Sequence, residues 1–349
     1  MSEIRKCVIW DLDNTLWDGV CIEGEVRVRP GVRHAIEELD RRGILHSIAS
    51  RSVGEVAVAV LKQNNLDGFF VVPKINWLPK PTNIIAISKD LGVPLDAIAF
   101  IDDDRFEREQ VSYMLPDVMT IEAQRAEELP LMPPFIRSEI TTEAGSRRQF
   151  YQNEQKRKNA ESTFSNREAF LNSCHIRLVL RSPTEEDIPR VLELMSRTHQ
   201  LNTTGQVLSR EELIKVFHGK SGQTAAVVAD LMDRFGNYGT IGVALAETGP
   251  TSWTLRYLAV SCRVLGRGIE RAFLASLLSE ALNLGFKQVR AVFRDTGKNR
   301  EMRVLYQMMG FRGCGVSEED GTMEFHARIN EAIAGPPWVE VTCGFFSLT

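Results

Sequence analysis

The sequence predicts an α/β protein of two domains, in which a parallel-sheet domain is followed by an α+β domain. Its 349 residues exceed what one ordinary hydrophobic core holds. Short apolar runs alternate with helical patterns near the N-terminus, which is typical of βα units around a parallel sheet. Longer strand patterns follow near the C-terminus. We expect the domains at residues 1–125 and 174–349, joined at 126–173 by a linker and a connecting helix.

In the first domain, apolar runs bounded by turn residues predict strands over residues 7–10, 44–49, 69–72 and 97–101. Helical spacing predicts helices that begin at Pro30 and span 53–64 and 82–91. Pro30 suits a first helical position, and Gly43 and Gly92 stand where C-terminal caps are expected. The stretch between Asp18 and Arg29 is expected to form a small flap.

Residues 129–134 are rich in proline and predict a linker, and 147–169 are charged enough to predict a solvated connecting helix. In the second domain, Thr184 with Asp187 three residues later predicts a capped helix start. Strands are expected over 224–229, 240–246 and 253–260, the first two joined by a Gly-Asn turn within 235–239. An amphipathic helix is expected over 268–284.

Composition restricts the classes of function. Hydrophobic residues make up 43% and charged residues 25%, as in soluble globular proteins. The net charge of −4 gives no general attraction to nucleic acid or anionic membranes. No apolar run approaches the roughly 20 residues that span a bilayer, and no apolar segment follows the first residues as in a secretion signal. The six cysteines lack C-x-x-C spacing, so we expect free thiols in a cytoplasmic protein.

Two carboxylates, Asp11 and Asp13, come directly after the first predicted strand. Residues at i and i+2 face the same way while strand geometry persists. One carboxylate can attack a phosphoryl phosphorus, while the other moves protons to and from the leaving group. Such crowded negative charge needs a divalent cation, and oxygen ligands select Mg²⁺.

Further polar residues follow other predicted strands of the same domain. Ser50 can hydrogen-bond a phosphate oxygen, and Lys80 can offset the charge of the nucleophile and the phosphate. Asp102 and Asp103 complete a predicted metal-ligand set with Asp11 and Asp13. Ligands of open α/β sheets bind at the carboxyl ends of the strands, where these residues are expected. The alternative is that the first aspartates begin turns and the later ones cap a helix.

A glycine-containing loop stands between a strand and a helix of the second domain. Its residues Arg263, Gly266, Arg267 and Gly268 can bring backbone N–H groups to a phosphate at a helix N-terminus. The loop resembles the acyl-coenzyme-A loop of the GNAT acetyltransferases. That resemblance implies pantetheine binding, with help from Asn299, and a general acid at Tyr306. The alternative is that Tyr306 packs on the core.

Taken whole, the chain resembles the FkbH-like proteins, which combine a HAD-type (haloacid-dehalogenase-type), Rossmann-like half with a GNAT-like half. The resemblance is carried by residues 6–20, 47–50, 75–77 with Lys80, 100–103, 197–202 and 261–268. It departs at Asp104, Arg105 and His199, where other residues are common. It implies dephosphorylation of D-1,3-bisphosphoglycerate, or a similar three-carbon acyl phosphate. The glyceryl group would pass to the phosphopantetheine thiol of an acyl carrier protein in polyketide-type biosynthesis.

The sequence does not determine which thiol accepts the acyl group. Cys7, Cys21 and Cys262 are candidates, and buried, inert cysteine is the alternative for each. Attack by the carrier's own thiol is equally consistent with these residues. His199, Gln200 and Asn202 can line an acyl or pantetheine pocket, or can form a hydrogen-bonded polar loop.

Three other functions compete with this interpretation. A stand-alone Mg²⁺-dependent phosphatase would release phosphate without acyl transfer. A coenzyme-A-dependent acyltransferase would bind coenzyme A and survive Asp11→Asn. A docking adaptor for carrier proteins would need none of the phosphate-handling residues.

Overall fold

The computed structural model describes residues 4–136, 145, 147–218, 224–249, 252–316 and 321–344. Residues 137–144 and 146 of the predicted linker therefore lie outside the described residues. The chain forms two compact units, Met1–Gln155 and Lys156–Thr349. The first contains a parallel sheet and the second a mixed sheet, so the predicted fold class is confirmed.

The first unit is built on a five-stranded parallel sheet of order β5-β4-β1-β6-β7, with a separate β2–β3 hairpin. The strands are β1 (Cys7–Trp10), β2 (Trp17–Asp18), β3 (Arg27–Val28), β4 (Leu45–Ser50), β5 (Lys74–Ile75), β6 (Ile98–Asp102) and β7 (Met119–Glu122). The helices are α1 (Pro30–Arg41), α2 (Gly54–Gln63), α3 (Lys80–Leu91) and α4 (Arg105–Met114). Helix α5 (Arg147–Glu161) begins in this unit and ends in the second.

The central strand β1 is buried on both faces. Val8 and Trp10 belong to one apolar cluster, and Cys7 and Ile9 to another. Successive side chains of a strand point to opposite faces, so a strand covered on both sides is a continuous apolar run. Asp11, the first polar residue after this run, therefore stands at the carboxyl edge of the sheet.

Two predictions for this unit are wrong. Instead of a strand over 69–72, a 3₁₀ turn at Asp67–Phe69 is followed by a single bridge from Phe70 to His46. Val72 takes a left-handed φ of 51°, which interrupts strand geometry before β5. The proline-rich stretch 129–134 is not an open linker, because it lies in two 3₁₀ helices that bury Leu129 and Phe135.

The second unit is built on an eight-stranded mixed sheet of order β13-β14-β12-β11-β10-β9-β8-β15. The strands are β8 (Ile176–Arg181), β9 (Thr224–Asp233), β10 (Gly236–Thr248), β11 (Trp253–Val260), β12 (Gln288–Arg294), β13 (Arg312–Val316), β14 (Thr322–Arg328) and β15 (Val339–Gly344). The helices are α6 (Arg167–Ser173), α7 (Ile188–Arg197), α8 (Arg210–Phe217), α9 (Ile269–Asn283) and α10 (Arg300–Met308). The predicted capping box of Thr184 and Asp187 is present before α7.

The β9–β10 hairpin turns at residues 234–235, earlier than the predicted Gly-Asn turn. The Asp233 carboxylate accepts hydrogen bonds from the backbone N–H groups of Phe235 and Gly236, which stabilises a turn there. Arg157 of α5 is buried, forms an ion pair with Asp233 and stacks over Phe235. The sequence predicted a solvated connecting helix. This prediction is wrong at Arg157, which is buried.

Among the described residues, no helix is long and apolar enough to cross a membrane. The six cysteines are free of disulfide bonds. The cytoplasmic location stays a prediction.

Candidate functional site

Three polar residues meet where three neighbouring strands end. Asp11 follows β1, Ser50 ends β4, and Asp102 ends β6. Both outer strands pair with β1 in parallel, so their carboxyl ends reach the same edge of the sheet. All three side chains are buried, and the Ser50 hydroxyl hydrogen-bonds Asp11.

Lys80 joins the two carboxylates. It is the first residue of α3, and its Nζ lies 2.8 Å from Asp11 Oδ1 and also contacts Asp102 Oδ2. The lysine is buried with its ammonium 5.7 Å from the centre of the Phe100 ring. Burial lowers the pKa of Lys80, but the two carboxylates outweigh burial and raise it, so the ammonium stays charged.

The cluster keeps an excess of negative charge. Carboxylate oxygens of Asp11, Asp102 and Asp103 lie within 4.8 Å of one another. Three carboxyl groups lie beside one ammonium, and burial raises the pKa of both Asp11 and Asp102, so their charged forms are costly without further positive charge. An all-oxygen donor set with this charge fits a divalent cation. The structure thus brings three of the four predicted metal ligands together.

The loop after β6 is fixed by its own hydrogen bonds. The backbone N–H of Asp103 donates to Thr15 Oγ1 at 3.0 Å. Arg108 donates to the carbonyl oxygens of Asp102 and Asp103, both at 2.8 Å. Asp104 caps α4 by accepting from the N–H of Phe106. The helix-cap alternative therefore holds for Asp104, whereas Asp102 and Asp103 face the cluster.

Asp13 makes different contacts from the other three aspartates. Its Oδ1 accepts a hydrogen bond from Trp17 Nε1 at 2.8 Å and another from the backbone N–H of Cys21 at 2.9 Å. Trp17 begins β2 and is completely buried, and Cys21 lies in the turn between β2 and β3. Trp17 is not among the predicted site residues, although its place four residues after the second aspartate is a signal that could have indicated it.

The candidate thiols differ in surroundings. Cys7 lies inside β1, where burial raises its pKa to about 12. Burial also raises the pKa of Cys21, whose Sγ lies 3.3 Å from Ser52 Oγ. Cys262 is half-buried in a short 3₁₀ turn before the glycine loop. Since the thiolate is the nucleophile, a raised pKa makes Cys7 and Cys21 less reactive.

In the second unit, the predicted glycine loop connects β11 to α9. Gly266 and Gly268 have φ values of 79° and 77°, which favour glycine. A Cβ on Gly266 would lie 2.6 Å from the Arg167 guanidinium, and one on Gly268 would lie 2.8 Å from Pro336. The glycines therefore also serve contacts with the unit's own side chains.

The two arginines of this loop are not equally placed. Arg267 is buried, stacks 4.7 Å from the Tyr238 ring centre and lies 3.6 Å from Asp233. Arg263 is half-buried, and its carbonyl accepts from Arg267. The structure thus directs Arg267 into the interior of the unit.

A cavity of about 590 Å³ lies beside the loop. Its wall is mostly apolar and is formed by Leu201, Leu265, Gly266, Glu270, Arg271, Arg300, Glu301, Val304, Leu305 and Met308. Gly266 is the predicted pantetheine residue in this wall. Glu270, which is not among the predicted site residues, is half-buried, and burial raises its pKa.

Residues 201–204 lie between the diverging ends of β11 and β12. The two strands pair where Trp253–Leu255 faces Val289–Ala291. Farther along, Thr203 hydrogen-bonds the backbone of Leu258 and accepts from the N–H of Arg294. The chain itself therefore occupies this gap.

The residues predicted to line an acyl pocket take part in that arrangement. Asn202 is buried and donates to Tyr257 Oη at 2.9 Å, and Asn299 donates to the carbonyl of Asn202 at 2.8 Å. His199 and Gln200 are exposed at the preceding turn. The hydrogen-bonded-loop alternative describes Asn202 better, and Asn299, a predicted pantetheine-binding residue, hydrogen-bonds the backbone of the same loop.

Tyr306 is completely buried. Its hydroxyl donates to the carbonyl of Val292 at 3.4 Å, and its ring packs on Phe311 and Phe325. Burial raises its pKa. These contacts favour the core-packing alternative over a general acid.

No known family's sequence profile matches the chain, and no curated protein matches it. Its structure is similar to the N-terminal part of the protein BF1531 from Bacteroides fragilis, which contains a phosphatase domain complexed with Mg, at 27% identity and a TM-score of 0.36. That match covers 39% of this chain and 42% of the other, so the chain spans about two fifths of that structure.

Two other similar structures are acetyltransferases. The ribosomal-protein-S18-alanine N-acetyltransferase from Escherichia coli is 18% identical, with a TM-score of 0.35, over 45% of this chain and 96% of that one. The PaiA N-acetyltransferase from Thermoplasma acidophilum in complex with coenzyme A is 13% identical, with a TM-score of 0.36, over 44% of this chain and 99% of that one.

Proposed function

We propose that the chain is a Mg²⁺-dependent enzyme that dephosphorylates D-1,3-bisphosphoglycerate, or a similar three-carbon acyl phosphate. It transfers the glyceryl group to the phosphopantetheine thiol of an acyl carrier protein. The observation that carries the phosphoryl half is the buried cluster of Asp11, Lys80 and Asp102 beside Ser50 and Asp103. The acyl-transfer half is supported by the sequence resemblance to FkbH-like proteins.

Asp11 is the nucleophile toward the phosphate ester. Lys80 holds its carboxylate in place at 2.8 Å and favours the ionised form that attacks phosphorus. Ser50 can donate to a phosphate oxygen from the neighbouring strand end. Mg²⁺ bound by Asp11, Asp102 and Asp103 would offset the charge that the phosphate adds.

Asp13 transfers protons. In the first step, the Asp11 oxygen bonds to phosphorus, the bond from phosphorus to the ester oxygen breaks, and that oxygen takes a proton from Asp13. In the second step, water attacks the phosphorus of the phosphoryl-aspartate and gives a proton to Asp13, and the bond between phosphorus and the Asp11 oxygen breaks. Asp11 and inorganic phosphate are released.

The acyl phosphate group at the other end of the substrate needs neither an enzyme nucleophile nor a general acid. Its carbonyl is already activated, so a thiolate forms the thioester and expels phosphate. We assign this attack to the carrier's thiol, because a direct attack needs no enzyme thiol. Burial makes Cys7 and Cys21 less reactive, and half-buried Cys262 is the alternative acceptor. The apolar cavity beside Gly266 suits the neutral part of a pantetheine arm, with Arg271 and Arg300 in its wall for the phosphate.

The test incubates the full chain with Mg²⁺, D-1,3-bisphosphoglycerate and a carrier protein in its pantetheine form, followed by intact-mass analysis of the carrier. We expect a glyceryl adduct with the wild type and not with Asp11→Asn. Asp96→Asn is the matched control, because Asp96 is exposed and precedes the same strand that Asp102 ends. An unmodified carrier with every three-carbon acyl phosphate would contradict the acyl-transfer half.

A stand-alone phosphatase is the second candidate. It is favoured by the internal contacts of Arg267, Asn299 and Tyr306, which leave these three residues occupied by the second unit itself. It predicts Mg²⁺-dependent phosphate release with no adduct on the carrier. The same incubation distinguishes the two candidates.

A further inference from the structure

The hydrogen bonds of Asp13 indicate which of its two carboxylate oxygens can hold a proton. Both hydrogen-bond donors, Trp17 Nε1 and the backbone N–H of Cys21, point at the same oxygen, Oδ1. A carboxylate oxygen has two lone pairs, so two N–H donors occupy the positions at which Oδ1 could hold a proton. A proton on this carboxyl group is therefore directed to Oδ2.

Trp17 has little freedom to move away from Asp13. Its side chain is completely buried in the apolar cluster that also contains Trp10 and Leu16. It begins β2, which pairs with β3 through Trp17–Val28 and Asp18–Arg27. The second donor, Cys21, lies in the turn of this hairpin. The hairpin thus places two hydrogen-bond donors, an indole N–H and a backbone N–H, on the same carboxylate oxygen of Asp13.

We propose that Trp17 is a positioning residue for proton transfer, and that it works by keeping the transferable proton of Asp13 on Oδ2. This inference rests on the proposed phosphoryl chemistry, in which Asp13 protonates the leaving oxygen. Trp17 itself touches no reacting atom. Its indole N–H makes one carboxylate oxygen the acceptor and leaves the other to donate.

The leaving group offers a direct test. An alkyl phosphate must receive a proton as its ester bond breaks, whereas p-nitrophenyl phosphate leaves as a stable anion and needs none. Trp17→Phe removes the indole N–H but keeps an aromatic ring in the core. We expect kcat/KM to fall at least about 10-fold on glycerol phosphate and less than about 3-fold on p-nitrophenyl phosphate.

Trp10→Phe is the matched control. Trp10 is an equally buried tryptophan of the same cluster, and its indole N–H donates to His46 Nδ1 at 3.0 Å instead of to a carboxylate. It should change kcat/KM on both esters by the same factor. Equal losses on both esters in Trp17→Phe, or no loss on either, would overturn the inference.

A second measurement does not depend on the folding of Trp17→Phe. In protein labelled with ¹⁵N at its five tryptophans, Asp13→Asn should shift the indole resonance of Trp17 and leave that of Trp10 in place. An unmoved Trp17 resonance would contradict the contact. If the wild type released phosphate from neither ester nor from D-1,3-bisphosphoglycerate, the proposed function would fail with the inference, whereas activity with an equal loss would overturn the inference alone.

Discussion

The carboxylate cluster of the first unit and the glycine loop of the second unit both follow a strand. In the first, the ammonium of Lys80 contacts Asp11 and Asp102, and a third carboxylate, that of Asp103, lies within 4.8 Å of theirs. In the second, Arg267 already has Asp233 and Tyr238 as partners. The carboxylates of the first site outnumber the positive side chain that they contact, whereas Arg267, Asn299 and Tyr306 of the second unit have partners within the unit.

The difference shows what distinguishes a reactive site from a polar core. Burying a charge is costly unless it is paired, so an excess of buried charge indicates a ligand. Buried asparagine and tyrosine side chains that hydrogen-bond the backbone, as Asn299 and Tyr306 do, stabilise the fold and need no ligand. The cavity beside the glycine loop has a mostly apolar wall, and among the predicted pantetheine-binding residues it contains Gly266.

The largest expected effect is the loss of the nucleophile. Asp11→Asn keeps the shape of the side chain and removes its charge, so phosphate release should fall by at least about 10³-fold. Phosphate release assayed with excess Mg²⁺ measures this, with Asp96→Asn as the unaffected control. Activity within about 10-fold of the wild type would break the comparison, because the charge excess would then not be catalytic.

Removing Lys80 should lower the stability of the first unit. Lys80→Met leaves two buried carboxylates without their ammonium, which should lower the free energy of unfolding by about 3–5 kcal/mol. Denaturant titration measures this, and added Mg²⁺ should restore part of the loss by neutralising the same carboxylates. A variant as stable as the wild type and indifferent to Mg²⁺ would contradict a charge excess at this edge.

Asn299→Ala should lower the stability of the second unit. The side chain donates to the carbonyls of Asn202 and Arg294, so its loss should cost about 1–3 kcal/mol of unfolding free energy. Phosphate release by the folded variant should stay within about twofold of the wild type, because Asn299 has no part in the chemistry. Unchanged stability with loss of carrier modification would instead make Asn299 a ligand-binding residue.

Tyr306→Phe should have the smallest effect. It removes one hydroxyl that makes a 3.4 Å hydrogen bond, so carrier modification should change less than about twofold and stability by about 1 kcal/mol. Mass analysis of the carrier over time measures the rate. A loss of about 100-fold at unchanged stability would restore the general-acid hypothesis.

Much of the first site could be predicted because it depends on local rules. A buried strand ends at its first polar residue, and parallel neighbours end at the same edge. These two rules place Asp11, Ser50 and Asp102 together without knowledge of the loops between them. The interruption at Val72 could not be read in this way, since a left-handed φ at a β-branched residue contradicts its local preference.

The second site was harder to predict because side-chain direction depends on distant partners. Arg267 turns inward toward Asp233, and Asn299 donates to the carbonyl of Asn202, 97 residues away in sequence. The contact from Trp17 to Asp13 is close in sequence, but it requires the β2–β3 hairpin to bring the indole back. Composition and spacing do not determine such contacts.

The most direct test of the central claim is to locate the phosphoryl group on the enzyme. Asp13→Asn removes the proton acceptor of the second step, so an acid-quenched reaction with p-nitrophenyl phosphate and Mg²⁺ should accumulate phosphoryl-enzyme. Peptide mass analysis should place the phosphoryl group on Asp11, and the double variant with Asp11→Asn should carry none. A phosphoryl group on another residue, or one that persists in the double variant, would contradict the assignment of Asp11 as the nucleophile.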